Sequence, residues 1–185
     1  MAGRIGLGAR DMAIGVKDPT AGTFGAMIDA PGLAGFSIDY EGDVEELWGD
    51  GILQASVAKS VGASGSFELV VQDLAVKAAL TGGTVVVAGT GATAVTTLWV
   101  PSTPKMPLAQ LVGMARGVGT DGGTLLGRVY QGRVTSGGGF ELTDGYATSS
   151  YDYTALDMGG ALFAIEQHAA SLTAIPSTAV STLPV

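Results

Sequence analysis

Residues 84–95 read TVVVAGTGATAV, and the fold class turns on whether this run opens a helix or a hairpin. Gly-x-Gly-x-x-Ala after a β-branched run is the outline of a dinucleotide-binding turn. Its glycines serve that purpose only where a helix starts at once and aims its N-terminal amides at a pyrophosphate. Here Thr96-Thr97-Leu98-Trp99-Val100-Pro101 follows, which is strand-like and then broken by proline. A ribose-binding carboxylate is also required about 20 residues further on, yet no Asp or Glu lies between Asp73 and Asp121. The run therefore reads as two short β segments joined by a glycine turn, and no cofactor is expected.

Outward from this point the periodicity is β almost throughout. Met12, Ile14 and Val16 alternate with smaller or polar residues before the turn Asp18-Pro19-Thr20-Ala21-Gly22. Leu33 to Tyr40 places Phe36, Ile38 and Tyr40 on one face, and after an acidic stretch Ile52 to Lys59 and Ser66 to Val71 read as further strands. One helix is expected: Asp73 caps residues 74–80 and Gly82 supplies a left-handed stop. At about two turns it needs a sheet to pack on. Later strands are expected at Leu108 to Arg116, Thr124 to Thr135, Phe140 to Tyr153 and Ala161 to Gln167, with glycine-rich turns at 119–123 and 136–139. Short links favour antiparallel pairing, hence a mainly β fold: an antiparallel β-sandwich or barrel of two packed sheets with one short flanking α-helix. Residues 1–168 form a single β domain with the helix near 73–81, and 169–185 an uncharged, extended C-terminal tail that lies along a partner or is loosely held.

The chain's 185 residues suit one domain with its own core. It has no cysteine, which removes disulfides and thiolate metal sites. Nine basic residues against 17 acidic ones give a net charge of −8. Between Lys17 and Lys59 stand eight acids and no base: Asp18, Asp29, Asp39, Glu41, Asp43, Glu45, Glu46 and Asp50. Phosphate neutralisation requires Lys and Arg, so such a surface repels nucleic acid. MAGRIGLGARDMAIG lacks the continuous apolar core of a secretory signal. The uncharged span from Lys77 to Lys105 could cross a bilayer by length, but its Thr, Gly and β-branched residues fit strands. The expectation is a soluble protein without membrane insertion.

Catalytic signals are weak. His168 is the sole histidine, no calcium-loop spacing is present, and no serine sits in a Gly-x-Ser-x-Gly setting. Glu45 and Glu46 lie adjacent and do not face each other across a cleft as glycosidase carboxylates do. The expectation is no enzyme, with His168 a strand-end or interface residue. Leu47-Trp48 is different, a large apolar pair among charges and glycine, which suits an interaction loop as well as a core position at a strand end. Tyr146, Tyr151 and Tyr153 read as packing residues.

The order of parts resembles a known family. GARDMAIGVKDPTAGTFG (8–25), LAGFSIDYEGDVEELWGDG (33–51), SGSFELVVQDLAVKAALTGG (64–83) and LVGMARGVGTDGGTLLGRVYQGRVTSGGGFELTDGYATSSYDYTALD (111–157) follow one another as in the major tail (tail tube) proteins of long-tailed bacteriophages. The departures are the Gly/Thr stretch 82–104 and the uncharged tail. The resemblance implies hexameric rings of self-associated copies, stacked into a tube through which genomic DNA leaves the capsid without specific binding. It implies a tape-measure protein and tail-end completion proteins as further partners, and a virion component made in the host cytoplasm. Asp39, Glu41, Asp43, Glu45, Glu46, Leu47, Trp48 and Asp50 then become the channel-lining or ring-stacking segment. The competing reading is a ligand- or carbohydrate-binding, adhesin-like β-sandwich, which the 12 scattered aromatics disfavour.

Overall fold

The computed structural model describes residues 9–49, 52–70, 73–102, 106–118, 123–137, 141–143 and 146–180. Within them the chain forms β1 (Ala9–Val16), β2 (Ile28–Pro31), β3 (Leu33–Phe36), β4 (Asp39–Gly49), β5 (Ile52–Leu69), α1 (Leu74–Thr81), β6 (Thr84–Ala88) and β7 (Val95–Trp99). There follow β8 (Leu108–Val118), β9 (Gly123–Gly137), β10 (Glu141–Thr143), β11 (Tyr146–Ala155) and β12 (Phe163–His168). The expected mainly β, antiparallel architecture with one flanking helix is what forms.

Ten strands make one sheet, seven of them in the order β2-β1-β8-β9-β11-β5-β3 with β10 added on β11, β12 on β9 and β4 on β5, and β6-β7 make a second, two-stranded sheet. The large sheet folds over until β3 lies across β1, so a single continuous sheet supplies both layers around the core. β9 outruns its neighbours: residues 132–137 pair with β11, and 124–129 pair on the same side with β12. Proline is tolerated at the end of β2 because that strand is an edge, where a missing ladder donor leaves nothing unsatisfied.

The core between the layers joins Met12 and Ile14 of β1, Phe67 and Leu69 of β5, Leu111 of β8 and Val129 of β9 to an aromatic stack. Phe67 lies 4.9 Å from Tyr151 and 6.3 Å from Tyr153, centroid to centroid, and Tyr153 stacks at 5.9 Å on Phe36. Burying each such side chain stabilises the fold by roughly 1.5–3 kcal/mol. Tyr151 and Tyr153 are thus the packing residues the sequence suggested; the side chain of Tyr146 lies outside those described. Helix α1 closes one side, burying Val76 and Leu80 beside β1 and β2. Its ends are as expected: Asp73 accepts from the Ala75 amide at 2.7 Å, and Gly82 takes φ 68°.

Three expectations about strands change. Leu33 to Tyr40 is two strands broken at Ser37 and Ile38, and Tyr40 does not join the buried face, being 61% exposed. Ile52 to Leu69 is one strand of 18 residues, continuous through Gly62 and Gly65. The segment expected as Phe140 to Tyr153 divides into β10 and β11, with Phe140 outside the described residues. The 84–95 run is the paired β6-β7 hairpin with its glycines in the loop, as expected. No helix among the described residues is long and apolar enough to cross a membrane.

Candidate assembly surfaces

Two neighbours hold the lower part of β5: Ala63 to Leu69 pair with β11 on one side, and Phe67 to Leu69 pair with β3 on the other. Beyond Ala63 the β11 ladder stops, while β4 stays paired with β5 from Asp39↔Ser64 out to Gly49↔Ile52. Among the described residues β4 pairs with β5 alone. The result is a two-stranded arm in which β4 contributes residues 41–49, on the order of 30 Å at the usual rise of a strand. Two register shifts interrupt it, between Gly42 and Asp43 and between Leu47 and Trp48. In each, β5 carries one extra residue, Ser60 and Gln54 respectively.

The sequence-predicted assembly segment coincides with this arm. Asp39 is exposed at its base. The backbones of Glu41, Asp43, Glu45, Glu46, Leu47 and Trp48 lie in β4, with their side chains outside those described, and Asp50 lies outside the described residues altogether. A shallow polar depression beside Asp39 is lined by Ser64, Ser66, Thr135, Asp152 and Tyr153. The Ser136 hydroxyl donates to the Asp152 carboxylate nearby. The phenol of Tyr153 is pushed up, first by burial and then by the charge of Asp39. Tyr40, next to Asp39, meets Phe163 edge-on at 6.1 Å.

A second surface escaped the sequence reading. The segment after β12 runs along the outer face of β8 and β9 of its own chain, and does not wait for a partner. Leu172 and Ile175 pack on Val112, Met114 and Leu126. Polar clamps fix it: the Leu172 amide donates to the Thr124 hydroxyl at 2.8 Å, the Val180 amide to Gln110 Oε1 at 2.9 Å, and Gln110 Nε2 to the Val180 oxygen at 3.2 Å. Arg128, itself buried, donates to Gln110 at 3.3 Å and to Glu166 at 2.8 Å. Arg116 donates to the Thr173 carbonyl. The available signal was the apolar run LAQLVGMA, whose two alternating faces both want cover. His168 ends β12 half-buried, its Nε2 3.6 Å from Glu166 Oε2, and no group of three or more His, Asp or Glu suited to a metal ion occurs among the described residues.

The third surface is the β6-β7 hairpin, where Val87, Val95 and Trp99 are exposed.

No protein-family model matches the chain, and neither does any curated protein. Among solved structures it is similar to a chain from the tail of an empty GTA particle obtained by helical refinement with C6 symmetry. The identity is 15% and the TM-score 0.41, with 84% of this chain and 93% of that chain covered.

Proposed function

We propose that this chain is the structural subunit of a phage tail tube: copies close into hexameric rings, rings stack, and genomic DNA passes through the bore. The observation that carries the reading is the β4-β5 arm, which continues past its last β11 pair with neither margin paired to any other described residue. Unpaired strand margins invite neighbours, and a ring satisfies them by closure. The order of sequence parts that resembles the tail tube family supports the same reading.

Charge agrees with a conduit. The sequence of β4 carries acids at alternate positions, 39, 41, 43 and 45. A bore presenting such a row offers no phosphate neutralisation, so DNA slides without being held. On this reading the chain is not an enzyme, needs no cofactor, and meets a tape-measure protein and completion proteins in the virion after synthesis in the host cytoplasm.

Negative-stain microscopy of the purified chain tests it. Hollow tubes or six-membered rings are the expected result. A monodisperse monomer that binds a glycan would establish the adhesin-like alternative instead. Reversing Glu45 and Glu46 to Lys separates two roles for the arm: tubes that form but pass DNA poorly place it at the bore, and tubes that fail to lengthen place it at the ring junction.

A further inference from the structure

The β6-β7 hairpin stands apart from the large sheet, its strands pairing among the described residues only with each other, from Thr84↔Trp99 to Ala88↔Val95. Opposed residues share a side, so Val85 and Leu98 form one side, and Trp99, Val86 and Val95 belong to the other. Val85 and Leu98 are half-buried, with the hairpin's base against α1. On the outward side Trp99 is 66% exposed and Val95 60%. Neither strand carries a charge or a proline, the devices by which exposed margins are usually blunted. Apolar surface this concentrated marks a contact.

Charge selects the occupant. Two copies of a chain with net charge −8 repel wherever their acidic faces meet, but residues 78–104 carry no charge at all. The same chain has an uncharged apolar groove of about 270 Å³ between β3 and the β8-β9 pair, with Leu33, Phe36, Ile38, Ala115, Leu125 and Ile165 among its lining. Its floor is the directly paired Gly113 and Gly127, where the missing side chains let the Phe36 ring lie on the backbone. Ile165 is 65% exposed within that lining.

We propose that the β6-β7 hairpin is a tongue that docks in this groove on a second copy of the chain, with the Trp99 indole as its anchor. An indole buries a large area at little conformational cost, as contact anchors do. A tongue and a groove at different places on one chain make a heterologous contact, which repeats from copy to copy until it closes a ring or extends a filament. The inference rests on the tube reading for its setting.

The chain has no cysteine, so single replacements give clean cross-links. Trp99→Cys and Ile165→Cys variants, mixed and mildly oxidised, are expected to form a disulfide between unlike chains. Trp99→Asp and, independently, Val95→Asp are expected to abolish wild-type assemblies by microscopy and sedimentation while circular dichroism and melting stay unchanged. Cross-linking of Trp99→Cys only to itself overturns the groove, as does assembly of both Asp variants at the wild-type level. Flotation of the wild-type chain with phosphatidylglycerol vesicles, lost in Trp99→Asp, would assign the tongue to a lipid surface and overturn the proposal. Wild-type chains that never assemble overturn the tube reading as well, whereas wild-type assembly that the Asp variants share sinks this inference alone.

Discussion

The Tyr153 hydroxyl donates a 2.6 Å hydrogen bond to the Ser37 carbonyl, and the ring that carries it lies over Gly65, its direct cross-strand partner. A methyl group at residue 65 would stand 2.6 Å from the hydroxyl oxygen and overlap the Ser37 oxygen. The glycine is a slot for the tyrosine, at the place where β5 leaves the body of the sheet and becomes the arm.

Gly65→Ala is therefore expected to destabilise the fold by on the order of 1–3 kcal/mol, as overpacking does. Tyr153→Phe keeps the ring and removes the bond, for a loss of about 1 kcal/mol. Urea midpoints with unchanged slope would check both. Because the two residues share one contact, the double variant should fall short of the sum of the singles.

Asp11 gives a pH dependence. Its carboxyl is raised above the ordinary value of 3.8 by burial first and then by Asp29, through both charge and a side-chain hydrogen bond, against the Met12 amide and Arg116. The folded state thus holds the proton more tightly than the unfolded state, so stability falls as pH rises from that ordinary value through the raised one. Asp11→Asn keeps an acceptor for Met12 and removes the charge. It is expected to be more stable than wild type at neutral pH, with the advantage gone in acid below the ordinary value, as read by urea unfolding at the two pH values.

The tail clamp can be opened at Gln110, which bonds both the amide and the carbonyl of Val180. Gln110→Ala strips partners from Arg128 and Val180 in a buried place, at about 1–3 kcal/mol. Amide exchange should quicken at Leu172 and Val180 but not at Leu111 or Val129. Uniform quickening would show that the segment does not open separately.

Helix α1 depends on its ends. Asp73→Ala removes the bond to Ala75 and should destabilise by about 1 kcal/mol. Gly82→Ala forces a side chain into φ 68°, with a similar loss of roughly 1–2 kcal/mol. Thermal melts of the two variants check the pair.

These two residues also mark what was legible in the sequence, since a cap is a contact between near neighbours and its chemistry is written within a few positions. The hairpin nature of 84–95 was legible for the same reason. The continuity of β5 was not: 52–59 and 66–71 read as separate strands, because the ring that fills the slot at Gly65 comes from a distant strand. Nor was the pairing of β1 with β8, which depends on two faces matching across the fold. The tail clamp hid behind Gln110 and Arg128, polar residues in apolar strands whose partners lie at Val180 and Glu166. The acidic segment 39–50 was legible as a distinct stretch, and its residues 39–49 form β4.

The two extra residues in β5, Ser60 and Gln54, divide the arm into three short runs. A bulge bends a strand and tightens its twist, so no long flat ribbon is offered for open-ended stacking of like upon like. Newly made chains can therefore crowd together without seeding amyloid-like aggregates through the arm.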